Sequence, residues 1–221
     1  MSILPVAGAP AQPDTARALP VLPVLRSLLP GGTLRAGSSV AVEDADLPLL
    51  LALGAGAARN GTWAALGLPQ LGALAAADAG LDLEYGLWVD RPGGDWPQVL
   101  AVLMEAVPVV LVGPLGRPGE RTARRIAGLQ RRMGAVLLVA GPWSGAQVRL
   151  RVTEAAWEGV GAGHGLLRGR RVRVRSAGRG AAAAGRSAVL WLPGPDGTAT
   201  AVDVRRDDAQ GRPALLGAVG A

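Results

Sequence analysis

Two uncharged aliphatic runs, Val107 to Val112 and Ala135 to Ala140, stand on either side of a helical segment, Glu120 to Met133. A strand with no polar face must be covered on both sides, which is the condition of the inner strands of a parallel sheet. The helical segment has Ile126, Leu129 and Met133 at helical spacing on one side and five Arg on the other, and Gly134 follows as its stop. Strand, amphipathic helix and strand in this order form a βαβ unit, so the chain is expected to be α/β with a mainly parallel sheet flanked by helices.

The preceding residues repeat the pattern. Val40 and Val42 mark a strand, Pro48 to Arg59 a Leu/Ala-rich buried helix, Thr62 to Gly67 a strand, and Gln70 to Ala79 a helix stopped by Gly80. Gly86 to Val89 is a short strand and Trp96 to Ala106 a helix with Pro97 in its first turn. Past Pro142 the texture changes. In Gln147 to Thr153 the apolar Val148, Leu150 and Val152 alternate with Arg149 and Arg151, and valines alternate with Arg171, Arg173 and Arg175. Period-two alternation belongs to half-exposed strands, so an antiparallel Arg-rich extension is expected, with Ser187 to Leu192 as a further strand. Residues 1–23 read as a flexible arm, 24–200 as one domain, and 201–221 as a polar tail with too little apolar surface to order itself.

Charge is unevenly placed. Every one of the 23 basic residues is Arg, and the formal net charge is +6. Residues 1–110 hold five Arg against ten acids, net −5, whereas residues 111–221 hold eighteen Arg against seven acids, net +11. Arg168, Arg170, Arg171, Arg173, Arg175 and Arg179 lie within twelve residues, with Arg149 and Arg151 expected on a neighbouring strand. Guanidiniums this dense repel one another unless an anion or an acidic partner relieves them. Two readings stand side by side: a surface for a phosphate backbone or acidic protein, and a solvated face. Trp143 and Trp157 are candidate interface anchors, with core packing as the alternative.

Catalytic constellations are poorly supplied. There is no Cys and a single histidine, His164, in a Gly-rich stretch that reads as a turn or surface contact. A His-rich metal site or a Ser/His/Asp triad has nothing else to draw on, and Ser144 lacks a nucleophile-elbow context. No metal and no cofactor is expected. The N-terminus has no uninterrupted apolar core of the signal-peptide kind, and the longest apolar run falls short of the ~20 residues that span a bilayer, so a cytoplasmic location away from membranes is expected.

The order of elements resembles the RecA-like ATPase core, most closely in LPGGTLRAGSSVAV, the strand that in that fold leads into the phosphate loop. The resemblance implies glycines, a Lys and a Ser/Thr after this strand. This chain continues with Glu43, Asp44, Ala45, Asp46, Leu47 and Pro48. The strand Val107 to Val112 would end in a Mg²⁺-holding acid but runs into Gly113, and only Pro69 and Gln70 stand where a water-activating Glu is expected. The expectation is a RecA-like core whose nucleotide-handling positions have degenerated, and a protein that is not an enzyme.

A run of segments is more specific. Arg131 to Gly134, the stretch AVLLVAGPWSGAQVRLRVTEAAWEGVGAGHGLLRGRRVRV, Gly178-Arg179-Gly180 and LWLPGPDG resemble the actinobacterial ImuA-type proteins, RecA-like accessory factors of the DNA-damage-inducible mutasome. The resemblance covers about Leu19 to Gly197. It implies a non-catalytic adaptor in SOS-induced mutagenic translesion synthesis. Its partners would be an inactive Y-family polymerase homologue of the ImuB type and an error-prone C-family polymerase, with RecA, DNA and self-assembly as further expectations. A divergent nucleotide hydrolase, and a regulator of RecA filaments or of cell division, are the alternatives.

Overall fold

The computed structural model describes residues 18–59, 61–161, 164–180 and 183–202. Among these, nine strands form one sheet in the order β11-β10-β9-β8-β3-β7-β6-β4-β5, and β1 (Ala18–Leu19) with β2 (Leu34–Arg35) forms a separate pair. Strands β3 (Ser39–Val42), β4 (Trp63–Leu66), β5 (Gly86–Val89), β6 (Val109–Val112) and β7 (Val136–Ala140) are parallel to their neighbours. Every residue of β3, β4, β6 and β7 is buried, as uncharged runs in a covered sheet require. The edge strand β5 is only half-buried, yet Trp88 packs edge-to-face on the buried Trp63, with ring centroids 5.2 Å apart.

Helices cover both faces. On one lies α1 (Leu47–Ala57), apolar nearly all round and buried, with Asp46 as N-cap accepting from the Leu49 N–H at 3.0 Å. On the other, α3 (Trp96–Ala106) and α4 (Glu120–Met133) close over β4, β6 and β7. The short α2 (Ala73–Asp78) adds Ala76 to the first core. The expected bounds of α3 and α4 hold, because caps and breakers (Pro97, Gly134 with φ 70°) set them locally.

Three expectations change. The arm expected over residues 1–23 ends earlier: Leu19 and Val21 are buried, and a Cβ on Gly56 of α1 would overlap the backbone of Val21 and Leu22, so the segment lies directly on that helix. Residues 1–17 and most of the expected tail, 203–221, lie outside the described residues. Met133, expected inward, is exposed and Gln130 is buried, because the last turn of α4 packs its backbone against the Gly37 turn. The alternating segment from Gln147, expected to be antiparallel, is β8 (Val148–Gly161), parallel to β3 on one side and antiparallel to β9 (His164–Gly178) on the other. Alternation reports one exposed face and carries no information about direction. Strands β10 (Arg186–Trp191) and β11 (Thr200–Ala201) complete the antiparallel extension.

Candidate functional site

Strand β3 lies between β7 and β8; its own connection leads away to β4 on one side, whereas the connection from its neighbour β7 passes over β3 to β8 on the other, so β3 ends at a topological switch point, where open α/β sheets place their ligands. There Glu43–Ala45 forms a 3-10 turn in which two successive non-glycine residues adopt the left-handed region, Asp44 at φ 58° and Ala45 at φ 51°. Each such residue costs about 1–2 kcal/mol. Ala45→Gly is therefore expected to raise the unfolding free energy by roughly 1 kcal/mol in denaturant titration; an unchanged midpoint would mean that the turn is not strained.

Side chains from the antiparallel extension hold this turn. Arg151 on β8 donates from Nε to Asp44 Oδ2 at 2.9 Å and lies 3.6 Å from Glu43. Arg170 on β9 donates from Nη1 to Asp46 Oδ2 at 2.8 Å, and these two side chains are only 16% and 10% exposed. The hydrogen bond from Arg151 is the main cause holding the Asp44 carboxyl below its ordinary value, and the same bond, with the charges of Asp44 and Glu43, raises the Arg151 guanidinium; desolvation opposes both shifts. With the folded-state pKa depressed, this pair contributes fully at neutral pH and is lost only as pH falls through the lowered Asp44 value.

These groups do not fit a nucleoside triphosphate and its Mg²⁺. The carboxylates of Glu43, Asp44 and Asp46 would face a polyanion, and the two guanidiniums beside them are already committed to those carboxylates. At the end of β6 the misfit is steric. A Cβ at Gly113 would overlap the carbonyl of Gly67, because the Gly113 N–H bonds to Leu66 O at 2.8 Å and draws the two backbones together. Gln70 is exposed in the loop after β4. Among the described residues no group of three or more His, Cys, Asp or Glu side chains is placed to hold a metal ion, and no helix is long and apolar enough to cross a membrane.

The expected basic face is real as a face but is partly neutralised. Arg171, Arg173 and Arg175 share one side of β9, and Arg175 stands opposite Arg151 in register. Glu154 on β8 pairs with Arg173 at 2.9 Å, and Glu158 lies 3.9 Å from Arg171. Arg170 belongs to the opposite side, with Val172 and Val174. Arg168, Arg175 and Arg179 are exposed, and Arg149 is half-buried. The roles of Glu154 and Glu158 are missed by sequence reading, although acids on one alternating strand and arginines on the next are the available signal.

Among the described residues no helix covers this face, because the connection from β7 to β8 is a strap of only seven residues, Gly141 to Gln147, passing over β3. Parallel crossovers usually need a dozen residues or more. Gln147 N–H bonds to Ser39 O at 3.0 Å, Ser39 N–H to Gln147 Oε1 at 2.6 Å, and Ser39 Oγ to Gly145 O at 3.1 Å. Trp143, in the strap, packs on the α3/α4 core and walls a cavity of about 300 Å³ with Arg117, Pro118, Pro142, Ser144 and Arg149. Trp157 stands apart, near the end of the β8–β9 hairpin, where it is 53% exposed and Leu166 and Leu167 are 81% and 60% exposed. His164 is the first residue of β9, opposite Gly161, and so lies on a strand and not in the expected loop.

The architecture and the altered switch point define a RecA-like α/β protein whose phosphate-loop position is occupied by an Arg-bound acidic turn. Residues 27–145 match the family described as the MT3502 N-terminal domain, and the chain belongs to that family. An uncharacterized protein of Mycobacterium tuberculosis is 32% identical over 178 residues, covering 71% of this chain and 87% of the relative. A KaiC-like protein of the hyperthermophilic archaeon Pyrococcus horikoshii has a similar fold, with a TM-score of 0.50 and 14% identity, covering 83% of this chain and all of that one. The Arg-bearing strands β8, β9 and β10 lie beyond the segment matched by the family.

Proposed function

We propose that this protein is a non-catalytic RecA-like adaptor of SOS-induced mutagenic translesion synthesis, of the ImuA type, that docks an inactive Y-family polymerase homologue and supports an error-prone C-family polymerase. The observation that carries the reading is the closure of the phosphate-loop position by Arg151 and Arg170. These ion pairs hold two parts of the fold together where the resemblance would place a phosphate loop. The similarity of the segments from Arg131 to Gly197 to ImuA-type proteins supports the mutasome assignment.

In this reading the docking element is the β8–β9 hairpin, whose Trp157, Leu166 and Leu167 offer apolar area beside the exposed Arg168. An exposed Trp near an Arg is the pairing in which interface hot spots are enriched, and the two leucines add apolar area around it. Arg171 and Arg173 are poor choices for a test, since reversing them also breaks contacts inside the sheet. Trp157→Ala with Leu166→Asp is expected to lower co-purification of the polymerase homologue at least tenfold while the circular dichroism spectrum stays unchanged. Calorimetry with ATP and Mg²⁺ is expected to give no binding heat at millimolar nucleotide. Saturable nucleotide binding, or undiminished capture by the hairpin variant, would overturn the respective half of the proposal.

A further inference from the structure

Helix α4 carries five Arg and one acid. Of these arginines only Arg124 has a carboxylate within 4 Å among the described residues, that of Glu120 at 3.8 Å. Arg121, Arg125 and Arg132 are all exposed, and their spacing puts them on one stripe of the helix. Arg121 and Arg125 are like charges one turn apart, an arrangement that weakens a helix standing alone. Gly128 lies on the same stripe, and a Cβ added there would meet nothing within 4 Å. Glycine inside a helix is less stable than alanine, and no packing contact of the described chain calls for it at this position. The helix thus keeps a repulsive charge row and a glycine that its own fold does not use.

A groove runs beside this stripe. Between α3 and α4 opens a cavity of about 270 Å³ with Pro97, Ala101, Ile126 and Leu129 as its apolar floor, Gln98 and Thr122 as polar groups, and Arg125 on the α4 rim. One turn on from Gln98 and from Leu129, the exposed Val102 and Met133 continue the apolar surface along the two helices. Among the described residues no acid lines the cavity. Between residues 95 and 133 six Arg stand against three acids, net +3.

An apolar groove with unpaired guanidiniums along one rim fits an amphipathic helix that bears carboxylates beside its apolar stripe. At 1.5 Å per residue the row from Arg121 to Arg132 is about 16 Å long, or roughly three turns of a helix lying along α4. Carboxylates recurring every three or four residues on that helix come within reach of all three arginines. Gly128 lets the two backbones approach between them. A nucleic acid is the poorer occupant: no aromatic side chain lines the groove to stack a base, and a phosphate backbone gains nothing from Val102, Met133 and the apolar floor.

We infer that the α3/α4 groove docks an acidic amphipathic helix of another protein, with one apolar side chain seated between Ala101 and Leu129 and carboxylates on Arg121, Arg125 and Arg132. The inference is independent of the adaptor reading. Nucleotide binding, or undiminished capture by the β8–β9 hairpin variant, would leave it standing. The arginines of α4 are visible in the sequence, but the groove exists only where α3 and α4 lie side by side.

The test is fluorescence anisotropy of a labelled synthetic peptide titrated with the full chain. The peptide is about four helical turns long, with Leu on one stripe, Glu flanking it and Ala elsewhere. Arg125→Glu is expected to weaken binding about tenfold or more. Gly128→Gln, which puts a side chain on the stripe, is expected to weaken it about tenfold or more while the circular dichroism spectrum stays unchanged and the melting temperature does not fall, since glutamine is the better helix former. Arg59→Glu, exposed beyond the end of α1 on the other face of the sheet, is the control for net charge and keeps affinity within about twofold. A peptide of the same composition with its periodicity scrambled keeps the charge but loses the apolar stripe, and is expected to bind about tenfold more weakly. Equal losses for Arg59→Glu and Arg125→Glu, equal binding of the scrambled peptide, or no saturable binding at millimolar peptide would overturn the site. Oligothymidylate binding more tightly than the peptide, with the same sensitivity to Arg125→Glu and Gly128→Gln, would overturn it in favour of a nucleic acid.

Discussion

Arg170→Ala is expected to destabilise the protein by about 3 kcal/mol, the range found when one partner of a buried ion pair is removed. Asp46 and Arg170 are almost fully covered and bond at 2.8 Å. Truncating Arg170 leaves a carboxylate that neither water nor another cation reaches well. Asp46 also caps α1 through the Leu49 N–H, and α1 is the buried helix of the first core. The damage therefore passes from an ion pair to a helix terminus and to the junction between the parallel and antiparallel parts of the sheet. For a folded unit of this size the melting temperature should fall by roughly 6–12 °C. Asp46→Asn, which keeps a capping oxygen but loses the charge, should cost less than Asp46→Ala, by about 1 kcal/mol. If Arg170→Ala melted within about 2 °C of the wild type, the pair would not be holding the junction.

Gly113→Asp is expected to be still more disruptive, and it cannot rebuild a metal-holding acid at the end of β6. Any side chain there starts with a Cβ placed on the carbonyl of Gly67, and that contact is between two backbones. A flexible neighbour could turn away, but the Gly67 peptide is held by its N–H bond to Val89 O at 2.8 Å, and Gly113 by its own bond to Leu66 O. Relief requires separating β4 from β6 at their carboxyl ends. The cost should exceed the ~1–3 kcal/mol typical of overpacking. Gly113→Ala isolates the steric part and should also unfold at clearly lower denaturant; a midpoint equal to wild type for Gly113→Ala would show that the strands can part there. The Asp variant is expected to be largely insoluble or to show a broadened, early transition.

These two positions separate what can be read along the chain from what cannot. The missing phosphate loop is visible as Glu43, Asp44 and Asp46, and the missing acid as Gly113, since a motif's absence needs no fold to be noticed. What replaced them is not visible. Arg151 and Arg170 stand 107 and 124 residues from their carboxylates, and nothing in alternation says that β8 will run parallel to β3 and bring them there. Along the chain the arginines form one dense unrelieved cluster. In the fold they divide into guanidiniums that bind acids of the same chain and others, Arg149, Arg168, Arg175 and Arg179, that do not bind one within salt-bridge distance among the described residues.

The sequence by itself determined the elements and their class. Buried strands, the amphipathic α4 and the caps of α1, α3 and α4 depend on residues within a few positions of one another, and the physics of period, propensity and capping is local. It also determined that the charge lies in the second half of the chain. Only the tertiary structure decided the direction of β8, the joining of the acidic turn to the extension, and the recess beside Trp143. Each of these depends on contacts between residues far apart in the chain, and a seven-residue strap over β3 has its consequence in the face it leaves uncovered.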